Sequence, residues 1–246
     1  MALAIDLDLA SANETLRSLD AEGRVRWAVE TFGQKAVLLS SMQKTASLLI
    51  HLFHRLGLEN EILFVDTGYH FPETLQLRDE FMRRYRLNVV TLYSGLTPEQ
   101  QEKRFEKKLY LYVDGQEECC RLRKTAPYID HMKQSGRRLT MVGLRRGEGG
   151  RRARLEPLVL DPRIEGYTLH PIFDWTDEQV DRYLKENDVP THPLHERNYP
   201  SIGCECCTTP VAPGEDPRAG RWRHLREPGD DGPKYCNINF SDGSGI

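Results

Sequence analysis

The spacing of the cysteines constrains this chain more than any other feature. Cys119 and Cys120 are adjacent, and about eighty residues on comes Cys204-Glu205-Cys206-Cys207. The sixth, Cys236, stands ten residues before the end. Four thiolates in the pattern C-C … C-x-x-C are enough to hold one metal ion or one iron–sulfur cluster. Zinc usually takes its four thiolates from two C-x-x-C knuckles. A vicinal pair suits that tetrahedron poorly, because neighbouring side chains diverge. An iron–sulfur cube spreads its iron corners and is the larger target. Buried, unligated thiols are the plain alternative, since free cysteine is among the most buried residue types. Cys206 reads as a small side chain beside the centre. Cys236 is either incidental or a nucleophile, the latter if a basic crevice lowers its pKa.

With 246 residues, 39% hydrophobic and 29% charged, the chain can bury one large domain, or one domain with a tail. No apolar run approaches the roughly 20 residues of a membrane span. Residues 1–12 lack the basic and apolar stretches of a secretory signal, so a cytoplasmic protein without a membrane partner is expected. In a reducing compartment, clustered cysteines read as metal-binding or catalytic before they read as disulfides. The net charge of −3 argues against a nucleic-acid partner. Residues 121–154, however, carry eleven Lys or Arg against two acids, Asp130 and Glu148. Such a basic zone in an acidic chain points to a local phosphate or sulfate site, although a solvated helix face with a loop has the same composition.

Strands are expected at 36–40, 61–65, 88–93 and 139–142. Helices are expected after the first of these, from Phe71-Pro72-Glu73, from Thr97-Pro98-Glu99, and from Asp174-Trp175-Thr176 to near Asn187. Alternation of this kind predicts an α/β fold, a mostly parallel sheet with helices on both faces. Ligands of such sheets sit beyond the carboxyl ends of the strands. Three polar turns should therefore converge there: Ser40-Ser41, Asp66-Thr67-Gly68 and Gly143-Leu144-Arg145-Arg146. Hydroxyls and free N–H groups at Ser40-Ser41-Met42-Gln43-Lys44-Thr45 suit a phosphate, though a simple helix cap explains the same residues. The P-loop pattern is absent. Arg145, Arg146, Arg151, Arg152 and Arg154 surround Gly147, Gly149 and Gly150, a loop able to fold round an anion. From Pro213 periodicity fades, with six Gly and four Pro in 34 residues. The expected division is an α/β domain over 1–212 and a mobile tail over 213–246.

Taken together these strings resemble the assimilatory sulfonucleotide reductases, and within them the bacterial iron–sulfur adenylyl sulfate (APS) reductases. The resemblance spans roughly Val37 to Trp222. It is carried by Ser40-Ser41-Met42-Gln43, by Asp66-Thr67-Gly68-Tyr69-His70-Phe71-Pro72-Glu73-Thr74, and by Cys119-Cys120-Arg121-Leu122-Arg123-Lys124. Further on it is carried by Gly143-Leu144-Arg145-Arg146, Asp174-Trp175-Thr176, Tyr199-Pro200-Ser201-Ile202-Gly203-Cys204, and the run from Gly214 to Trp222. It implies a PP-loop-like fold of the adenine nucleotide hydrolase type, and a [4Fe-4S] cluster on Cys119, Cys120, Cys204 and Cys207. Members with these cysteines generally use APS; members without them generally use the 3′-phosphorylated nucleotide, PAPS.

The implied reaction has two halves. The Cys236 thiolate attacks the sulfur of APS and expels AMP, and thioredoxin or a similar dithiol then releases sulfite from the S-sulfocysteine. Lys124, Arg145, Arg152, Arg218 and Arg221 match the family's basic active-site positions. Ser40, Ser41, Asp66, Gly68 and Leu144 lie on turns expected to hold the nucleotide. A homo-oligomer is compatible with all of this. The tail departs from the family: Glu-Cys-Gly-(Leu or Ile)-His is replaced by Tyr235-Cys236-Asn237-Ile238-Asn239. Three other readings stay open. PAPS reduction is the nearest. An ATP-using PP-loop sulfur-transfer enzyme should carry S-G-G-x-D-S after the first strand, which is absent here. A non-catalytic relative is supported by the altered tail alone.

Overall fold

Short apolar runs, each closed by a polar turn, form the centre of the molecule. A computed structural model describes residues 7–226 and Ile238. Ala36–Ser40 (β1), Ile62–Asp66 (β2), Val89–Tyr93 (β3) and Leu139–Met141 (β4) are strands where the apolar pattern predicts them. Leu158–Asp161 (β5) and Gly166–Leu169 (β6) add two that were not anticipated. The order is β3-β2-β1-β4-β6-β5, parallel throughout except for β5, which runs antiparallel to β6. Chain progression reverses between β1 and β4, so the carboxyl end of β1 is the switch point where a crevice opens in such sheets.

Local chemistry starts the helices. Leu9–Ser18 (α1) is capped by Asp8, whose carboxylate accepts from the Ala10 and Ser11 amides. Ala21–Phe32 (α2) and Lys44–Arg55 (α3) flank β1 in sequence. Pro72–Arg84 (α4) and Pro98–Phe105 (α5) both begin on proline, whose missing N–H costs nothing in a first turn. Thr97 and Thr176 each form reciprocal capping boxes, opening α5 and, after Val113–Cys120 (α6) and Ala126–Gln134 (α7), the last helix Asp177–Glu186 (α8). Asp174, three residues before α8, instead grips the buried Arg24 guanidinium at 2.6 and 2.7 Å.

Alternation along β1 divides the core in two. Leu38 faces a large cluster containing Leu16, Val25, Leu49, Phe81 and Leu184, from α1, α2, α3, α4 and α8. Val37 faces a smaller one with Tyr128 and Met132 of α7, against which Ile238 packs. The Ile238 carbonyl accepts from Arg163, which pairs with the fully buried Asp161. At the outer edge the Asn13 side chain treats β5 as a neighbouring strand would. Its amide nitrogen donates to the Leu158 carbonyl at 2.9 Å and its oxygen accepts from the Leu158 N–H at 2.8 Å. No helix among the described residues is long and apolar enough to cross a membrane.

The segment after α8 is fastened by a buried histidine. His192 is 1% exposed, with Nε2 2.9 Å from the Thr74 hydroxyl and Nδ1 accepting from the Leu194 amide. Burial first, and then the charge of His195, push its pKa from the ordinary 6.5 down to about 4. Between those values the unfolded chain binds a proton that the folded chain refuses. Stability from this site is complete above pH 6.5 and is lost as pH falls toward 4, by about 3 kcal/mol. Denaturant midpoints measured across that window should fall with pH, and should fall less in His192→Gln.

Candidate functional site: a cysteine chamber beside a basic crevice

α6 ends in Cys119-Cys120 and continues through a wider π-helical turn, Arg121–Thr125, into α7. Gly115 lets α6 lie against the preceding turn, since a Cβ there would stand 2.5 Å from the Leu109 carbonyl oxygen. The second pair arrives from the far side of the chain. Cys204 bridges to His70 as a one-residue ladder, the Glu205 amide donates to the Tyr69 carbonyl at 2.8 Å, and Glu205–Cys207 forms a tight turn. Cys119, Cys120, Cys204 and Cys207 are all buried and line one chamber, walled also by Tyr69, Tyr110 and Trp222.

Polar side chains reach these sulfurs. Gln101 and Gln116 donate to Cys119 and Cys120 at 3.6 and 3.2 Å, and the Cys204 thiol donates to the Thr67 hydroxyl at 3.4 Å. Burial pushes the Cys119 thiol up. Contact with Cys206, and after it the Lys124 charge, hold Cys204 and Cys207 below the ordinary thiol value. Among the described residues no three donors converge as a single ion requires. Four buried sulfurs with side-chain N–H donors around them fit a group that spreads its ligands, as an iron–sulfur cluster does. Cys206, half-buried, sits 3.7 Å from the Cys207 sulfur.

Beyond the chamber lie the turns at the strand ends. The Ser40 hydroxyl is buried and accepts from the Met42 amide at 3.2 Å, folding a turn in which Met42 takes φ 56°. Ser41 is exposed. Gln43 accepts from the Ile202 amide at 2.9 Å, tying this turn to the segment that carries Cys204, while Lys44 points away to Asp181. Gly143 presses on the start of α3, where a Cβ would stand 2.8 Å from the Thr45 hydroxyl oxygen, so the turns after β1 and β4 adjoin. After β2, the Asp66 carboxylate accepts from the Gly68 amide at 2.9 Å, and Gly68 has φ 70° with Pro98 packed against it.

The predicted cations fall into groups. Arg218 and Arg221 both donate to the Ser201 hydroxyl, at 3.4 and 3.3 Å, and Gly203 leaves room for the Arg221 guanidinium. Lys124 lines the cysteine chamber. Arg145 is buried, donating to the Trp175 carbonyl and to Asp177 at 3.1 and 2.5 Å. Arg152, also buried, pairs with Glu148, whose other oxygen is 3.8 Å from Arg145. The Leu144 side chain is spent on an apolar cluster with Val142 and Leu155, leaving its backbone for any ligand. Cys236 lies outside the described residues.

Sequence reasoning passed over three residues. Arg123 is buried, donates to the Thr67 and Leu96 carbonyls at 2.9 and 3.1 Å, and so binds the cysteine helix to the turn after β2. Its place within Cys119-Cys120-Arg121-Leu122-Arg123-Lys124 was the available signal. Tyr69 likewise lies within Asp66-Thr67-Gly68-Tyr69-His70-Phe71-Pro72-Glu73-Thr74, and Glu148 is one of the two acids of the basic zone, three and four residues from the Arg145 and Arg152 that it meets. Glu148 fills the position of an anion between two guanidiniums. In Glu148→Gln, sulfate should bind roughly tenfold tighter, because a bound anion then supplies the missing charge-assisted bonds. Sulfate should therefore raise the melting temperature of the variant more than that of the parent protein.

A sheet reversing at β1, mostly parallel, with polar turns and buried cations beyond its carboxyl ends, defines an α/β protein with a PP-loop-like fold. The chain belongs to the phosphoadenosine phosphosulfate reductase domain family, whose model matches residues 35–210. It is 35% identical over 218 residues to the adenosine 5′-phosphosulfate reductase of Shouchella clausii, covering 87% of this chain and 88% of that one. The phosphoadenylyl-sulfate reductase of Candida auris, solved as a phosphate complex, shares the fold with a TM-score of 0.72 and 23% identity, over 83% of this chain and 99% of the other. Candida glabrata FMN adenylyltransferase follows at a TM-score of 0.53 and 15% identity, over 98% and 78%.

Proposed function

We propose that this chain reduces adenylyl sulfate to sulfite and AMP in the cytoplasm, with thioredoxin or a similar dithiol as reductant. The observation that carries this reading is the gathering of Cys119, Cys120, Cys204 and Cys207 round one buried chamber with Lys124 at its wall. The likeness over most of its length to a protein named for APS reduction supports it. These four cysteines would hold a [4Fe-4S] cluster. When bound, the cluster supplies a fixed charge centre beside Lys124 and ties the α6 end to the Cys204 turn.

The chemistry belongs to the side chains. The Cys236 thiolate attacks the sulfate sulfur of APS. A new S–S bond forms, the S–O bond to the phosphate breaks, and AMP leaves with the electron pair. A dithiol thiolate then attacks the Cys236 sulfur, sulfite departs with the S–S electrons and a mixed disulfide forms. The second thiol, as its thiolate, attacks the dithiol's sulfur in that bond, closing the dithiol's own disulfide and expelling the Cys236 thiolate. Negative charge builds on the sulfate oxygens and the leaving phosphate, where Lys124, Arg145, Arg152, Arg218 and Arg221 act as prearranged cations. Ser41, the exposed hydroxyl of its turn, and the backbone of Gly68 and Leu144 hold the nucleotide, on turns that Ser40 and Asp66 shape.

The test is intact mass of anaerobically purified protein mixed with APS and no dithiol. A sulfite-sized adduct on Cys236 with one equivalent of AMP released is the expected result. Nucleotide binding without an adduct would refute the mechanism.

A further inference from the structure

Tyr69 is held on every side except at its hydroxyl. Its amide donates to the Thr67 hydroxyl at 3.2 Å and its carbonyl accepts from the Glu205 amide at 2.8 Å. The Arg123 guanidinium lies over the ring, 5.0 Å from the centroid, and is itself fixed to the Thr67 and Leu96 carbonyls. Tyr110 meets the same ring edge-on at 5.3 Å. The ring cannot swing to find solvent, and it forms a wall of the chamber lined by the four cysteines. Its hydroxyl oxygen is fully buried and has no hydrogen-bond partner among the described residues.

A buried phenol is expected to find an acceptor, and each one that has none calls for a specific reason. At neutral pH the phenol carries its proton and is a donor. Sulfur atoms of an iron–sulfur cluster are acceptors, and hydrogen bonds to them are one of the levers by which a protein sets the cluster's electronic character. We propose that the Tyr69 hydroxyl donates a hydrogen bond to a sulfur of the cluster, making Tyr69 a positioning residue that tunes the cluster without touching the nucleotide. The inference rests on the cluster reading given above. It differs from the roles of Gln101 and Gln116, whose donors already meet the Cys119 and Cys120 sulfurs.

Tyr69→Phe keeps the ring, its contact with Tyr110 and the stacking of Arg123, and removes only the donor. Resonance Raman spectra of the anaerobic, cluster-loaded protein read the Fe–S stretching bands directly. The expected result is unchanged iron and sulfide content, with at least one Fe–S band moved up in frequency, because a hydrogen bond to sulfur weakens Fe–S bonding. The native protein should show a D2O-induced shift of that band, and the variant should have lost it. Superimposable spectra of loaded native and variant protein would overturn the proposal. Should the variant load poorly, the native protein still decides: no Fe–S band moving between H2O and D2O overturns it. Native protein free of iron and sulfide would instead remove the cluster reading itself, and the inference with it.

Discussion

Cys236→Ser protein is expected to bind APS normally and to release sulfite more than about a thousandfold more slowly than the parent. Two steps fail together. A serine hydroxyl is a weak nucleophile unless a base removes its proton. A sulfate ester on serine offers no S–S bond, so a dithiol has nothing to exchange with. Binding should survive because the proposed cations, Lys124, Arg145, Arg152, Arg218 and Arg221, all sit in the folded body around β1, β4 and the Cys204 segment. Calorimetric titration with APS and a sulfite-release assay on the same preparation separate the two effects. Sulfite released at the parent rate would move the nucleophile elsewhere. The neighbours Tyr235, Asn237 and Asn239 make this the sharpest experiment on the chain, since none supplies the glutamate or histidine of the family's usual tail.

A second large effect separates two cysteines that are adjacent in sequence. Cys207→Ala should purify with less than about a tenth of the parent's iron and acid-labile sulfide, whereas Cys206→Ala should keep nearly all of it. In the tight turn over Glu205–Cys207 the Cys207 amide donates to the Cys204 carbonyl at 3.0 Å, which brings these two residues, three apart, to the same face. Both are buried, while Cys206 is half-buried. On the proposed cluster reading, loss of the Cys207 thiolate would leave the cluster one protein ligand short and would loosen the join between α6 and the Cys204 turn. Equal loss of iron from the two variants would reassign the fourth ligand to Cys206.

Much of this architecture was legible in the residues. β1 to β4 follow from compact apolar runs closed by Ser40, Asp66 and Gly143, and their order of use points to the crevice. The cysteines were legible because no other residue type makes a C-C … C-x-x-C pattern informative. β5 and β6 were not, being four residues each, with Asp161 and Gly166 interrupting the apolar signal. Both are settled by long-range partners instead: Gly166 is required because a Cβ would collide with the Arg138 carbonyl at 2.1 Å. α1 and α2 have modest apolar faces that declare themselves only against the finished sheet. Arg123 and Tyr69 lie within strings that the sequence singles out, but their roles come from contacts that span about 55 and 135 residues of sequence, to Thr67 and Glu205.

The pairing of Asn13 with Leu158 bears on how the molecule behaves in a crowded solution. β5 is an outer strand, and such a strand invites another chain to add itself by hydrogen bonding along the free side. At Leu158 both the N–H and the C=O are already taken by one side-chain amide, and α1 lies alongside the strand. An incoming strand would have to displace a helix and leave a buried amide stranded before forming its first rung. A single asparagine thus occupies the rung at Leu158 from which an identical chain would otherwise start to pair along this edge.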